Sequence, residues 1–194
     1  MALNLEHHLR FYGAYHRDPV NIGIHIVCVP MILLSALVLA TNSPNLEIPA
    51  AFSIPYFPIN IGTIAAFLYA ILFILLEPVA GGLIAPLILG CTAYGAHLVE
   101  RLGQPVNNWA IGIHVFSWIA QFIGHGKFEG RAPALLDNLV QALFFAPLFV
   151  WLEVLFAFGY RPELKARMEQ GVKEEVAKFK NKGAQTNGDT KKES

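Results

Sequence analysis

The sequence predicts an all-α protein: a multi-spanning transmembrane helix bundle of four to five apolar segments, followed by an amphipathic C-terminal helix. Hydrophobic residues make up 55% of the 194 residues and charged residues only 14%, whereas soluble domains average about 45–50% and 25%. The charges are also uneven, because residues 19–160 hold three of the fourteen basic residues and residues 161–194 hold nine. We therefore expect one membrane domain with a short charged tail.

Five apolar runs carry the predicted bundle. A spanning helix needs about 20 mostly apolar residues, because each residue rises about 1.5 Å and the hydrocarbon core is roughly 30 Å thick. The runs are Ile22–Ala40, Ile59–Leu76, Val79–Leu98, Val106–Ile123 and Leu139–Phe158. A soluble domain of this size does not need five such stretches.

The basic residues predict the orientation of the bundle. Lys and Arg collect on the cytosolic side of membrane segments; Lys127 and Arg131 follow the fourth run, and the loop Thr41–Pro58 has no basic residue. We expect both termini in the cytosol, which requires an even number of crossings. Either the fifth run, which contains Pro147 and Glu153, does not cross fully, or the second and third runs form one irregular hairpin.

The predicted domain organisation has three parts: a membrane domain at 1–160, an amphipathic cytosolic helix at 161–182 and a disordered tail at 183–194. Apolar residues recur every three or four positions over the second part, which is the α-helical period. They are Leu164, Met168, Val172, Val176 and Phe179. We expect this helix to lie on the membrane surface or against the bundle, and the polar tail to be frayed.

Several kinds of chemistry lack their motifs in this sequence. It has no HExxH zinc-protease motif, no GxSxG elbow, no Walker loop and no CxxC pair. The seven histidines are too scattered for the histidine boxes of membrane desaturases, and no basic surface interleaved with aromatic residues predicts a nucleic-acid partner. Candidate functional residues must therefore be sought among the polar side chains inside the apolar runs, where such groups are costly.

Three histidines are placed so that they can meet. His16 and His25 flank the start of the first run, and Pro19 between them bends the chain. His125 ends the fourth run, and alternating crossings bring that end to the same side of the membrane as the start of the first run. Neutral imidazoles suit Fe, Zn, Cu or Ni, so the pattern predicts a metal site. The alternative is that each histidine bonds a backbone carbonyl between helices.

Other polar residues lie near these histidines. Asn21 and Gln121 each lie one helical turn before a candidate ligand, at His25 and His125, and on the same helix face. His114 lies on the same stripe as Gln121, but it is on the order of 16 Å from His125 along an unbroken helix. We therefore rank His114 as a second-tier ligand.

Two segments resemble a known family of membrane enzymes. They are FYGAYHRDPVNIGIHIVCVP at 11–30 and SWIAQFIGHGKFEGRAPALLDNLVQALFFAP at 117–147. The second contains the long and specific pattern WxxQFxGHxxFExxxPALxDN, and the first contains the looser pattern YHxxxxNxxxHxxxxP. Together they resemble the endoplasmic-reticulum 2-hydroxy fatty acid dioxygenases of the metabolism-of-phytosphingosine type, over about Tyr12–Pro162.

The resemblance implies an iron-dependent dioxygenase in the endoplasmic-reticulum membrane. Such an enzyme carries out α-oxidation: a 2-hydroxy fatty acid and O2 give the fatty acid one carbon shorter, in the degradation of phytosphingosine. The implied cofactor is Fe(II), with His16, His25 and His125 in the family's histidine motifs as its ligands. The implied partners are the 2-hydroxy fatty acid, O2 and membrane lipid.

The positions of neighbouring polar residues suggest roles that fit this chemistry. Glu129, one turn after His125, is a candidate ligand or a partner that orients the ring. Asn21 and Gln121 are candidates for similar supporting roles. Arg17, Lys127 or Arg131, at the cytosolic mouth of the bundle, could attract the substrate carboxylate.

Two other function classes stay open at this point. A non-catalytic lipid-binding or lipid-organising membrane protein would use its histidines only as hydrogen bonds between helices. A metal or proton transporter would need acidic residues along a path, and only Glu77, Glu153 and Glu100 lie near the runs.

Overall fold

The described part of the protein is all-helical. The structure is a computed structural model that describes residues 4–47, 49, 54, 57–130, 132–133 and 138–190, with side chains up to residue 177 except at 175. Its helices are α1 (Leu5–Tyr15), α2 (Pro19–Ala40), α3 (Ile61–Leu76), α4 (Pro78–Leu102), α5 (Gln104–Ile123), α6 (Ala146–Ala157) and α7 (Pro162–Thr190), with the π-helical segments π1 (Gly124–Glu129) and π2 (Gln141–Phe145). No β-strand occurs among these residues, so the all-α prediction is confirmed.

Among the described residues, two helices are long and apolar enough to cross a membrane. They are α2 with 22 residues and α4 with 25. A third candidate exists if the bent pair Gln141–Ala157 and Pro162–Glu174, which turns by 119°, counts as one broken span. Helix α3 is apolar but has 16 residues, which gives about 24 Å of helix against a hydrocarbon core of roughly 30 Å. The structure thus supports two to three candidate spans where the sequence predicted four to five.

Large apolar side chains cover the outer surface of these helices. Leu68, Trp109 and Phe116 are 63%, 75% and 65% exposed, and only a third of the apolar stretch of α2 is buried. Soluble monomers rarely expose contiguous apolar patches of more than a few hundred Å². The outer surface is therefore compatible with a membrane protein.

The helix starts are set by side-chain caps. Asn4 accepts a hydrogen bond from the backbone of α1, and Asp18 accepts two from the first turn of α2, which begins at Pro19. Asn60 and Thr63 form a reciprocal capping box at the start of α3. Because these caps satisfy backbone N–H groups that a helix leaves free, they determine where the chain enters each helix.

Helices α3 and α4 form a hairpin joined by the single residue Glu77. Its carboxylate is 4% exposed and caps α4 through the backbone N–H of Ala80. It also accepts hydrogen bonds from the Tyr160 hydroxyl at 2.9 Å and the Arg161 guanidinium at 3.0 Å. These bonds connect the hairpin to the turn between α6 and α7. They also give the buried carboxylate several hydrogen-bond partners, without which a buried charge would be strongly destabilising.

Helices α1 and α7 pack on each other beside α6. Leu9 from α1 and Leu164 and Met168 from α7 are buried in the same hydrophobic core as Leu148 and Leu152 of α6. The helical backbone of α7 continues to Thr190, over positions for which the sequence led us to expect a frayed end. The division of the chain at 160 and 182 stays a prediction.

The contact between α3 and α4 predicts a contrast between two neighbouring glycines. A Cβ added at Gly81 would overlap the backbone of Phe73, whereas a Cβ at Gly82 meets nothing within 4 Å. We expect Gly81→Ala to lower the free energy of unfolding by about 1–3 kcal/mol through overpacking. The matched control Gly82→Ala, which carries the same gain in helix propensity, should not lower it. Thermal unfolding of the purified variants in detergent measures both, and equal melting temperatures would contradict the packing.

Candidate metal centre

His16, His25 and His125 lie together in one buried cluster. The centroid of the His16 ring is 4.4 Å from that of His25 and 4.8 Å from that of His125, and the last two are 4.8 Å apart. The three side chains are 8%, 3% and 2% exposed, and their possible ligand atoms all lie within 4.8 Å of one another. The structure therefore brings together the three histidines that the sequence singled out.

The cluster forms where the chain leaves α1 and enters α2, and where α5 ends. His16 follows α1 with extended backbone (φ −129°, ψ 91°), and α2 starts three residues later at Pro19. The chain thus turns between His16 and His25. His125 is the second residue of π1, directly after α5. Because π-helical turns often occur at functional sites, the change of helix type at this position is informative.

In His16 and in His25, a hydrogen bond to a backbone carbonyl determines which ring nitrogen is free to bind a metal ion. The Nδ1 of His16 lies 2.9 Å from the carbonyl of Tyr12, and the Nδ1 of His25 lies 2.8 Å from the carbonyl of Asn21. Because a carbonyl only accepts hydrogen bonds, each Nδ1 carries the proton and donates it. In the neutral ring, Nε2 then keeps its lone pair, the arrangement found in metal-binding histidines. The predicted carbonyl bonds exist, but within one helical segment rather than between helices.

Burial keeps His16 neutral. Desolvation by burial and the neighbouring His25 lower the pKa of His16 well below its usual value of 6.5, against a smaller opposite effect of the hydrogen bond to Tyr12. Metal ions bind the neutral imidazole. His16 is thus in its metal-binding form at neutral pH.

The Glu129 carboxylate clamps the start of α2 to π1. It accepts hydrogen bonds from the backbone N–H groups of Arg17 and Asp18, both at 3.0 Å, and from the Asn21 side-chain amide at 3.2 Å. Its negative charge lies at the N-terminus of α2, where the helix dipole favours an anion. Both oxygens are occupied in this way, so Glu129 positions the segments that carry the histidines and lies outside their group.

A glycine allows this close approach. Asn21 is fully buried, and a Cβ added at Gly124 would lie 2.5 Å from its side-chain oxygen. Any larger residue at position 124 would push π1 away from α2. The neighbouring His125 depends on this contact for its place in the cluster.

An apolar cavity opens beside the three histidines. Its volume is about 190 Å³, and it lies between α2, α5 and π2. Its apolar lining includes Val29, Ile32, Leu33, Phe122 and Phe149. Gln121 and Tyr12 also line it, and neither the Gln121 side-chain nitrogen nor the Tyr12 hydroxyl has a hydrogen-bond partner among the described residues. The cavity therefore combines a long apolar wall with two unused polar groups near the histidines.

The donor set fits a metal ion. Three buried, neutral imidazoles whose ligand atoms converge are a good set for Fe, Zn, Cu or Ni, and the described residues contain no other group of this kind. Because the Nδ1 protons of His16 and His25 are directed to backbone carbonyls, their Nε2 atoms are available to an ion. The geometry supports a metal site without identifying the metal.

Comparison with known proteins places the chain in a family. The family model described as "2-hydroxy-palmitic acid dioxygenase Mpo1-like" matches residues 2–158. The chain belongs to the Mpo1-like family. It is 36% identical over 167 residues to the 2-hydroxy-palmitic acid dioxygenase MPO1 of Saccharomyces cerevisiae, covering 86% of this chain and 88% of the relative. No solved structure matches the chain.

His114 lies away from the cluster of this Mpo1-like chain. Its Nδ1 is 2.9 Å from the Ser35 hydroxyl, and its Nε2 accepts a hydrogen bond from the indole nitrogen of Trp118 at 3.0 Å. Both ring nitrogens are thus occupied. Arg131 and the motif residues 134–137 lie outside the described residues.

Tyr12 is the site residue that the sequence reasoning missed. Its ring stacks on that of His16 at a centroid distance of 4.1 Å, and its carbonyl holds the His16 Nδ1. The signal was present in the spacing, because Tyr12 precedes His16 by one helical turn, as Asn21 precedes His25.

The cluster predicts which histidines a metal needs. We expect His16→Ala, His25→Ala and His125→Ala each to lose the bound metal, because each removes one of three ligands. His114→Ala should keep it, since His114 is hydrogen-bonded elsewhere. Elemental analysis of the purified variants by mass spectrometry measures the metal content, and an equal loss in all four variants would contradict the assignment.

The clamp predicts a weaker effect at Glu129. Glu129→Gln replaces one acceptor oxygen with an NH2 group that faces backbone N–H donors, so the start of α2 should shift. We expect metal affinity to fall about 10–100-fold, as for other residues that orient ligands. Titration with a competing chelator gives the affinity. Glu100→Gln, at an exposed position on α4, is the matched control, and identical affinities for both variants would remove the positioning role.

Proposed function

We propose that the protein is an Fe(II)-dependent dioxygenase that carries out α-oxidation of 2-hydroxy fatty acids to fatty acids one carbon shorter. The observation that carries the proposal is the cluster of His16, His25 and His125 at one end of an apolar cavity. The relative named 2-hydroxy-palmitic acid dioxygenase supports the substrate class. The same activity would serve the degradation of phytosphingosine, as the sequence resemblance implies.

The proposed reaction balances without an external reductant. A 2-hydroxy acid, R–CH(OH)–COOH, and O2 give R–COOH, CO2 and water, so the C1–C2 bond breaks and the substrate supplies all the electrons that O2 takes up. His16, His25 and His125 would hold the iron, which would supply the site at which the hydroxy acid and O2 react. The absence of a nicotinamide or flavin motif in the sequence is compatible with this stoichiometry.

Two side chains are placed to bind the substrate head group. The Gln121 nitrogen and the Tyr12 hydroxyl are both donors without a hydrogen-bond partner among the described residues, and a carboxylate accepts only. No acidic side chain is among the described residues that line the cavity. An anionic head group would therefore meet donors and no repelling charge.

The rest of the cavity suits an acyl chain. The side chains that line it beyond the histidines are mainly aliphatic and aromatic. Burying each CH2 group contributes about 0.8 kcal/mol, so a long chain would supply most of the binding free energy. The cavity thereby orients the substrate, with the chain in the apolar part and the 2-hydroxy acid at the histidines.

We further propose that the protein is a multi-pass protein of the endoplasmic-reticulum membrane with both termini in the cytosol. Helices α2 and α4 are long enough to cross. In the proposed arrangement, α3 and α5, which pack against α4 and α2, would make the second and fourth crossings. Helix α6 has 12 residues and turns by 119° into α7, so it enters the membrane without crossing. Nine of the fourteen basic residues follow residue 160, on the side where α1 and α7 pack together.

The decisive experiment incubates the purified protein with 2-hydroxypalmitic acid in air. We expect a product one carbon shorter by mass spectrometry, no product after chelation of metal, and recovery on addition of Fe(II). Palmitic acid, which lacks the 2-hydroxyl, should be unchanged, and His16→Ala should be inactive.

An iron-loaded protein that leaves 2-hydroxypalmitic acid unchanged would refute the enzymatic proposal. The apolar cavity would then favour the second candidate function, a non-catalytic membrane protein that binds lipid. Metal content separates the two candidates, because the second does not need an ion.

A further inference from the structure

Three hydrogen-bonded side chains, which we call the polar crossbar, lie across one end of the cavity: Ser35, His114 and Trp118. The Trp118 indole N–H donates to Nε2 of His114 at 3.0 Å, so the proton of the neutral ring is on Nδ1. This proton is donated to the Ser35 hydroxyl at 2.9 Å, and the hydroxyl in turn donates to the Ile32 carbonyl at 3.1 Å. Each ring nitrogen of His114 has one partner.

The crossbar connects two helices at the end of the cavity opposite the metal cluster. Ser35 lies on α2, and His114 and Trp118 lie on α5. Among the described residues that line the cavity, none on α2 lies beyond Ala36 and none on α5 lies before His114. The lining of the cavity on both helices therefore extends from the three histidines to the crossbar.

Two independent helices give the same length for this path. His25 and Ser35 are ten residues apart on α2, which corresponds to about 15 Å of helix. His114 and His125 are eleven residues apart along α5 and π1, or about 16 Å. An extended acyl chain advances roughly 1.25 Å per C–C bond of about 1.5 Å, so the path holds about twelve or thirteen bonds beyond the carbon atoms at the metal cluster.

We propose that the polar crossbar sets the upper limit of acyl-chain length, at roughly fifteen carbons when C1 and C2 are counted. The inference deepens the proposed function and rests on it, because it assumes that the 2-hydroxy acid lies at the histidines. A longer chain would push its methyl end into the crossbar and separate His114 from Ser35. Buried polar groups left without partners are costly, so longer chains bind less well.

Ala36 offers a second way to change the same end of the cavity. It lies next to Ser35, lines the cavity and is not packed in the core. A larger side chain there would shorten the path without disturbing the hydrogen bonds of the crossbar. His114→Ala and Ala36→Phe should therefore shift the length limit in opposite directions.

The test is a binding competition that requires neither metal nor O2. Metal-free protein is incubated with an equimolar mixture of saturated 2-hydroxy acids of about 12 to 22 carbons, and native mass spectrometry reports which chain lengths are bound. Because all variants meet the same mixture, differences in detergent partitioning cancel. Val115→Ala and Val27→Phe, at exposed positions on α5 and α2 outside the cavity lining, are the matched controls.

We expect the parent to discriminate against acids longer than about fifteen carbons. His114→Ala should extend the limit by two or more carbons, Ala36→Phe should shorten it, and the controls should bind like the parent. The inference is overturned if the parent shows no upper limit, binds no 2-hydroxy acid, or holds only phospholipid, or if Ala36→Phe and His114→Ala bind like the parent. A length-limited profile in a protein without turnover would refute the proposed enzyme and leave the length limit standing.

Discussion

The candidate centre depends on the hydrogen bonds of one carboxylate. Glu129 accepts from the backbone at 17 and 18 and from Asn21, and these groups belong to the segment that carries His16 and His25. Glu129 itself is four residues from His125. One side chain therefore links the parts of the chain that carry all three histidines, and it does so at a helix N-terminus, where a negative charge is favoured.

Other hydrogen bonds hold α2 and α5 together at the end of the bundle opposite the three histidines. Asn42 and Asn107 exchange hydrogen bonds between their side-chain amides at 2.9 and 3.0 Å, where α2 ends and α5 begins. Together with Glu129, they tie α2 and α5 at both ends, and the Ser35–His114 contact ties them in between. The cavity thus has one rigid wall built from two helices, while π2 and α6 form the opposite wall.

Much of this arrangement could be predicted from the sequence. The all-α class followed from the long apolar runs, and the meeting of His16, His25 and His125 followed from alternating crossings. The lengths of the helices were not predictable in the same way, because Asn60 and Glu77 cut the second run to 16 residues through local capping. The hydrogen bonds of Glu129 were also not predictable from the sequence. Their donors are backbone N–H groups more than 100 positions away, and a pattern of side chains does not show which backbone N–H group a carboxylate will meet. Iron was implied only by resemblance, because three imidazoles suit several metals.

The order of the three histidines along the chain has a consequence for biosynthesis. His16 and His25 are made first and lie on adjoining helices, whereas His125 follows 109 residues after His16. At a synthesis rate of roughly 5–20 residues per second, two of the three histidines are present in the nascent chain for several seconds before the third has been added. The complete centre forms only when α5 and π1 have been made and Glu129 has docked on α2. A metal ion that needs all three histidines would therefore bind late, after assembly of the bundle rather than on insertion of its first helix.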